Sequence, residues 1–387
     1  MKTLITSLLI LSSSPSFARP QYAAKEKINC IQCHVNPWGA GARRAFGKIY
    51  GARDLSDSTH LESDWYYLDV RAVFSSMNKN TTTQASSQKT NQGNKKRGMM
   101  TSQAFLKHNF FEDYTVALNY DFGMFNSKIR ETYFLMEKES YTLLLGQFYL
   151  PFGLLTDEHR TYTKMITASG LRDYEKGAVL TKTICEHFIA DIGIFKGFNS
   201  LNQQEGKPGF IANFRLFPED LPLLGGLSYL HHTGDTISPK AFSVYGVYDL
   251  NKYFDATLSF EYVIASNFND ININSRYIPR IIPSNLFGTY AQDVKGKVAH
   301  ASQVEFRYEL TPQFILLYKF DYLVLDQTKR DQLFTRNGFG FRYQPFHNFM
   351  ILAKYEFNNI SLPSYVKSDV YTVTESEGPI LMLRAWY

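Results

Sequence analysis

From Asp64 onward apolar and polar residues alternate, segment after segment, and this period of two constrains the fold more than any other feature. Successive side chains of a β-strand point to opposite faces. In Tyr114 to Met124 one face reads Tyr114, Val116, Leu118, Tyr120 and Phe122, and the other Thr115, Ala117, Asn119 and Asp121. Phe254, Ala256, Leu258 and Phe260 oppose Asp255, Thr257, Ser259 and Glu261 in the same way, and Val304, Phe306 and Tyr308 oppose Gln303, Glu305 and Arg307. One face suits lipid and the other water, the pattern of a membrane-spanning β-barrel. A sandwich or propeller does not account for strands aliphatic and aromatic on one face and charged on the other along a whole chain.

About sixteen such segments of roughly ten residues are present, an even number, as single-chain bacterial barrels require. They begin near 64, 99, 114, 128, 140, 175, 187, 208, 222, 239, 253, 299, 313, 332, 347 and 379. The expected fold is therefore all-β, an antiparallel outer-membrane barrel of about 16 strands over residues 63–387. Tight links at Phe111-Glu112-Asp113, Glu139-Ser140, Cys185-Glu186, Thr311-Pro312 and His347-Asn348 mostly alternate with longer ones at 76–98, 150–174, 197–207, 265–298 and 359–378, the alternate links near 125–128 and 325–331 being shorter. Outer-membrane barrels place short turns in the periplasm and long loops outside, which puts both chain ends in the periplasm. The final strand, with Leu381, Leu383, Ala385 and Tyr387 on one face, closes on an aromatic residue.

Composition agrees. Aromatic residues make up 16% of the chain, with 31 Phe and 26 Tyr against 3 Trp, and aromatics gather in strands and in the girdles of barrels. After the first residues, no run of about eighteen uncharged apolar residues occurs, so no transmembrane helix is expected. A net charge of +5 does not argue for a nucleic-acid partner.

Residues 1–18 read as a signal peptide: Lys2, an apolar run from Leu4 to Leu11, then small residues at Ser16 and Ala18. The chain has three cysteines, and two of them form Cys30-Ile31-Gln32-Cys33-His34. This is the sequence form of a c-type haem attachment site. Two thiols at this spacing reach the two vinyl groups of one porphyrin, and the next histidine supplies the proximal iron ligand. A thioredoxin-like motif, half a zinc site and a plain disulfide are the alternatives; no βαβ pattern and no second Cys or His pair accompanies them.

Gly39, Gly41, Gly47 and Gly51 follow, and glycine lets backbone approach a flat macrocycle. Ala42 to Tyr50 is a candidate short helix whose Arg43, Arg44 and Lys48 suit haem propionates or a solvated face. Residues 19–62 are thus expected to form a monohaem cytochrome c plug binding one covalent haem c, with His34 on the iron. His60 is the nearest further histidine and the candidate distal ligand; His108, His159, His187, Met77 and Met165 are alternatives.

Two loops are weaker candidates. The link 76–98 carries Lys79, Lys89, Lys95, Lys96 and Arg97 with no acid; it reads as a flexible surface loop, with lipopolysaccharide phosphate or an acidic partner as the alternative. Beyond Gly146-Gln147-Phe148 lie Asp157, Glu158, His159, Arg160, Asp173 and Glu175. They suit loop salt bridges, a pore constriction or a loosely held metal. Cys185 has no assigned role.

The order of signal peptide, single CxxCH, Gly-rich plug and long barrel resembles the fused outer-membrane monohaem cytochrome–porins of iron-oxidising bacteria. Cys30, Cys33, His34, Pro37, Phe46-Gly47 and Tyr50-Gly51 carry the resemblance. It covers the chain as architecture and the first fifty or so residues as motif. Asn36 to Gly41 departs from it and is closer to other haem-bearing porins. The resemblance implies electron transfer from an extracellular donor, Fe(II) in that family, through the enclosed haem to a periplasmic c-type cytochrome. An Fe(II) oxidase is then the one enzymatic reading. Partners would also include outer-membrane lipid and lipopolysaccharide. A diffusion porin with a haem-bearing plug, or the haem subunit of a larger redox complex, is the alternative function.

Overall fold

The computed structural model describes residues 20–26, 28, 30–34, 36–38, 44, 47, 50, 65–83, 88–111, 113–123, 128–156, 161–167, 169, 173–196, 207–233, 238–250, 254–268, 297–328, 333–346, 348–361 and 372–386. Among the described residues two short helices come first, α1 (Pro20–Glu26) and α2 (Cys30–Cys33). Sixteen strands follow: β1 (Tyr66–Thr83), β2 (Gln88–Asn109), β3 (Tyr114–Asp121), β4 (Lys128–Lys138), β5 (Tyr141–Tyr149), β6 (Tyr174–Cys185), β7 (Phe188–Lys196), β8 (Pro208–Leu216), β9 (Leu223–His232), β10 (Lys240–Asp249), β11 (Ala256–Ser266), β12 (Val298–Thr311), β13 (Phe314–Val324), β14 (Leu333–Phe346), β15 (Phe349–Ser361) and β16 (Thr372–Trp386). A third helix, α3 (Tyr162–Thr167), lies between β5 and β6.

Each strand pairs antiparallel with its sequence neighbours, and β1 pairs with β16, so the sheet closes on itself. Closure leaves no strand without a neighbour, which a barrel in hydrocarbon needs because lipid offers no hydrogen bonds.

Side chains are distributed inside out. Ile194, Leu180 and Ile192 are 66%, 43% and 48% exposed, while Asp69, Asp191, Asp321 and Arg384 are buried. Along most of the described strands the outward row is mainly apolar and the acids and arginines face the lumen, as the alternation predicts. An exterior of this kind matches a bilayer. Trp65, Phe110, Phe111 and Phe254 lie exposed at the rim of short turns, where amphipathic and aromatic rings anchor a barrel. Phe111 turns the chain tightly there with φ 62°.

The lumen charges are paired across neighbouring strands. Asp191 on β7 takes Arg215 on β8 at 2.8 Å, and Asp321 on β13 takes Arg336 on β14 at 2.9 Å. The seam is held the same way: Arg384 Nε on β16 donates to Asp69 Oδ1 on β1 at 2.9 Å, and Arg71 adds a bond to Asp69 Oδ2 at 3.0 Å. Burial of such a charge is tolerable only with a partner.

The structure corrects the loop expected at 76–98. β1 and β2 continue through it in register, Asn78 opposite Gly93 and Thr83 opposite Gln88, and β16 extends beside them to pair Thr83 with Thr372. β16 therefore begins at Thr372 rather than near 379. Ser, Asn and Thr along this arm carry no apolar alternation, so pairing across three strands, not burial, holds it extended. At about 3.3 Å per residue the 18 residues of β1 exceed the nine to eleven or so a bilayer needs.

Replacing Asp69 with Ala strands Arg71 and Arg384 in the seam, and should cost about 3 kcal/mol of barrel stability. Urea titration of the protein in vesicles would show this as a lower midpoint with an unchanged slope.

Candidate functional site

The N-terminal segment lies in the lumen and touches opposite walls. In α1, Ala23 and Ala24 pack with Ile189, Phe217, Leu224 and Val247. Lys25 pairs with Glu309 on β12 at 3.0 Å, and Arg342 on β14 donates to the Tyr22 hydroxyl at 2.8 Å. On the other side Arg44 pairs with Glu137 on β4. Glu309 and Glu137 both sit beside short turns, so the segment enters from that rim. It reaches deeper at Asn36, whose side chain donates to the Tyr149 hydroxyl at 3.2 Å, and at Trp38, whose ring lies 5.9 Å from that of Phe148.

The cysteines and the histidine come together inside this segment. Cys30 and Cys33 share the single turn of α2 and are not joined in a disulfide. The His34 amide donates to the Cys30 carbonyl at 2.9 Å and His34 is fully buried. The backbone at 44 closes over them: the Arg44 amide donates to the Cys33 carbonyl at 2.9 Å and its Nε to the His34 carbonyl at 2.7 Å. Gly47 is required there, since a Cβ would stand 2.3 Å from the Cys33 carbonyl oxygen. Arg215 fastens the turn to the wall, donating to the Pro37 carbonyl at 2.8 Å while bound to Asp191. Burial pushes the Cys30 thiol above its ordinary pKa, and the nearby Arg215 charge opposes the rise.

A second segment fills the lumen from the β5–β6 link. Glu261 on β11 is its anchor. Lys164 of α3 reaches Glu261 Oε1 at 2.9 Å, Thr163 donates to Oε2 at 2.8 Å, and the Leu154 amide donates to Oε1 at 3.0 Å. Gly153 passes so close, at φ +62°, that a Cβ would lie 1.7 Å from Glu261 Oε1. Leu154 also packs in the same cluster as Ala23 and Ala24, so the two lumen segments meet. Trp38 joins Tyr67, Phe105, Tyr133, Phe148 and Tyr149 in a larger buried aromatic cluster beside them.

The structure thus brings Cys30, Cys33 and His34 to one turn in the lumen. His60, His159 and the group Asp157 to Arg160 lie outside the described residues, as do residues 1–19. Of the other ligand alternatives, His108 is on the exterior of β2, edge-on to Phe110 at 4.6 Å between ring centroids, and His187 is in a short turn 3.6 Å from Glu219. Neither side chain is in the lumen. Met165 is buried in α3. Asp173 and Glu175 are buried beside the infolded link. Arg44, a candidate for haem propionates, bonds Glu137 and the His34 carbonyl. Among the described residues no three His, Cys, Asp or Glu are grouped to hold a metal ion. Arg215, Lys164 and Glu261 were not separable in sequence from other polar-face residues.

The donor set fits a c-type haem: two thiols on one helical turn that are not joined in a disulfide, an imidazole on the next residue, and an aromatic cluster adjoining. Zinc would need further ligands that the described lumen does not group.

The comparisons agree on architecture. No protein-family model matches the chain, and no curated sequence does. Among solved structures it is similar to OmpF of Salmonella typhi in complex with daunomycin, at 12% identity and a TM-score of 0.56, covering 83% of this chain and 97% of that one. It is also similar to the outer membrane channel DcaP of Acinetobacter baumannii, at 10% identity and a TM-score of 0.55, over 83% and 96%. The anion-selective porin of Comamonas acidovorans matches at 10% identity and a TM-score of 0.52, over 83% and 100%. At these identities the likeness establishes the fold, a porin-type barrel.

Two expectations follow. Glu261→Gln should weaken docking of the link by about 3 kcal/mol by leaving Lys164 buried without its counter-charge, read as faster protease cleavage between residues 150 and 173. Maleimide on the haem-free folded chain should modify exposed Cys185 well before Cys30 and Cys33, a difference read by peptide mass mapping.

Proposed function

We propose that this chain is an outer-membrane barrel of the porin type that holds one covalent haem c in its lumen and passes electrons across the membrane. The observation that carries the reading is the placement of Cys30, Cys33 and His34 on a turn fixed between opposite lumen walls. When bound, the haem would supply a one-electron centre inside a layer about 30 Å thick that otherwise insulates. Cys30 and Cys33 would form the thioethers and His34 the proximal bond. Arg215 and Arg44 hold the turn that presents them. The buried Tyr67, Phe105 and Tyr133 belong to the aromatic cluster that adjoins it.

Orientation follows the rule for such barrels. β1 starts and β16 ends at the rim of short turns, which in outer-membrane barrels is periplasmic. The electron would then reach a periplasmic c-type cytochrome from an extracellular donor, with Fe(II) as the donor that the sequence resemblance implies.

A diffusion channel is the second reading, favoured by the porin and channel neighbours. Two lumen segments tied to the wall at Arg215, Glu137, Glu309 and Glu261 weigh against a wide solute path.

The test is expression with c-type maturation enzymes. The denatured wild-type chain should retain haem and give a c-type reduced spectrum, and Cys30→Ala with Cys33→Ala should lose both. In liposomes containing oxidised cytochrome c, external Fe(II) should reduce the enclosed protein only when the haem-loaded barrel is present. A chain without covalent haem that gives large stable conductance in planar bilayers would establish the diffusion channel instead.

A further inference from the structure

The lumen wall from β14 to β2 carries one continuous row across five strands. Arg342 on β14 lies opposite Leu352 on β15, Leu352 opposite Met382 on β16, Met382 opposite Val73 on β1, and Val73 opposite Gly98 on β2. The chain neighbours Tyr343, Leu381, Phe74 and Met99 are exposed on the outside, so alternation turns the row inward. Leu352, Met382 and Val73 are only partly covered there, and a Cβ at Gly98 would meet nothing within 4 Å. Barrel lumens are otherwise polar. The next row toward the short turns holds Arg384 and Arg71, and the next row the other way holds Lys354, all three paired with carboxylates.

Arg342, at the end of the row, differs from those neighbours. Every other buried arginine or lysine among the described residues pairs with an Asp or Glu. Arg342 is 3% exposed and pairs with none: its Nη2 donates to the Tyr22 hydroxyl at 2.8 Å, and its Nε has no partner. A buried guanidinium without a counter-charge is costly, and its planar fork matches a carboxylate. The wall thus offers a partly open apolar strip with a carboxylate site at one end. The chemistry it suits is that of an amphipathic organic anion.

Two observations select the occupant. Arg342 is bonded to α1, and α1 belongs to the same segment as the turn of Cys30 and Cys33. That turn is fastened to β8 through Arg215, and β16, at the middle of the row, stands eight strands from β8 in a ring of sixteen, directly across the lumen. A porphyrin attached through its vinyl groups carries its two propionates on the edge opposite the attachment.

We infer that Arg342 binds a haem propionate, and that Leu352, Met382 and Val73 form the apolar surface beside it. The inference rests on the haem reading above and adds a contact from the far wall to Cys30, Cys33 and His34. A free carboxylate in the lumen shares the same chemistry, and the two sources are separated by the test.

The experiment compares the haem-loaded full chain with Arg342→Gln, Arg342→Lys and Tyr22→Phe in detergent, by redox titration and resonance Raman spectroscopy. Arg342→Gln should lower the reduction potential by about 59 mV, a tenfold change in the one-electron equilibrium, because the lost positive charge favours the reduced haem. It should also shift the propionate bending band. Arg342→Lys keeps the charge and should hold the potential near that of the wild type. Tyr22→Phe removes only the bond to α1 and should change neither readout. An Arg342→Gln protein with wild-type potential and band overturns the assignment. A Tyr22→Phe protein that behaves like Arg342→Gln also overturns it, since the guanidinium would then act through α1. A lowered potential with an unmoved propionate band overturns it too, leaving Arg342 to a free anion. Heat-modifiable electrophoretic mobility checks that each variant is a folded barrel. A wild type that takes up no covalent haem overturns the preceding reading together with this one, whereas covalent haem with both readouts unmoved overturns this one alone.

Discussion

The pairing of β1 with β16 is the contact on which the rest of the molecule depends. Thirteen residues of β1 are matched to β16 along the seam, and without it both strands would leave backbone donors and acceptors in hydrocarbon. Only a closed sheet makes an inside and an outside. Only then do Asp69, Asp191 and Glu261 lie where a charge can be buried among partners, and Ile194 and Phe242 where an apolar side chain faces lipid. The lumen is a polar core, and its order comes from ion pairs between neighbouring strands rather than from hydrophobic burial alone.

Two segments use that core differently. The β5–β6 link is bound through one carboxylate, Glu261, which Lys164, Thr163 and the Leu154 amide share. The N-terminal segment is bound at scattered points, Glu309, Arg342, Arg215, Tyr149 and Glu137. The first arrangement concentrates the stability of the link in one residue. The second spreads it, so that loss of a single contact leaves Cys30 to His34 confined between the walls.

The barrel was legible because alternation is local. Phe314, Lys128 and Pro208 begin strands within a residue of where the pattern places them. β2 and β16 run further at their long-link ends than the pattern indicates, since Lys, Asn and Gln on β2 and Thr, Ser and Glu on β16 carry no sustained apolar alternation and strand pairing alone keeps them extended. Cys30, Cys33 and His34 were legible because their spacing is chemical and lies within five residues. Lys25 and Glu309 are 284 positions apart, Pro37 and Arg215 178, and Lys164 and Glu261 97. Those pairs follow from barrel closure, and a single polar-face residue carries no mark of which partner will cross the lumen to meet it.

The burial of Cys33 and His34 sets an order on biogenesis. Both lie inside a ring of hydrogen-bonded strands, under the backbone at 44 and 47 and against the wall at Arg215. An enzyme large enough to modify that turn cannot reach it once the ring has closed. Enzymatic attachment of a group at these residues would therefore have to precede closure, with the last strand to join completing the enclosure around them.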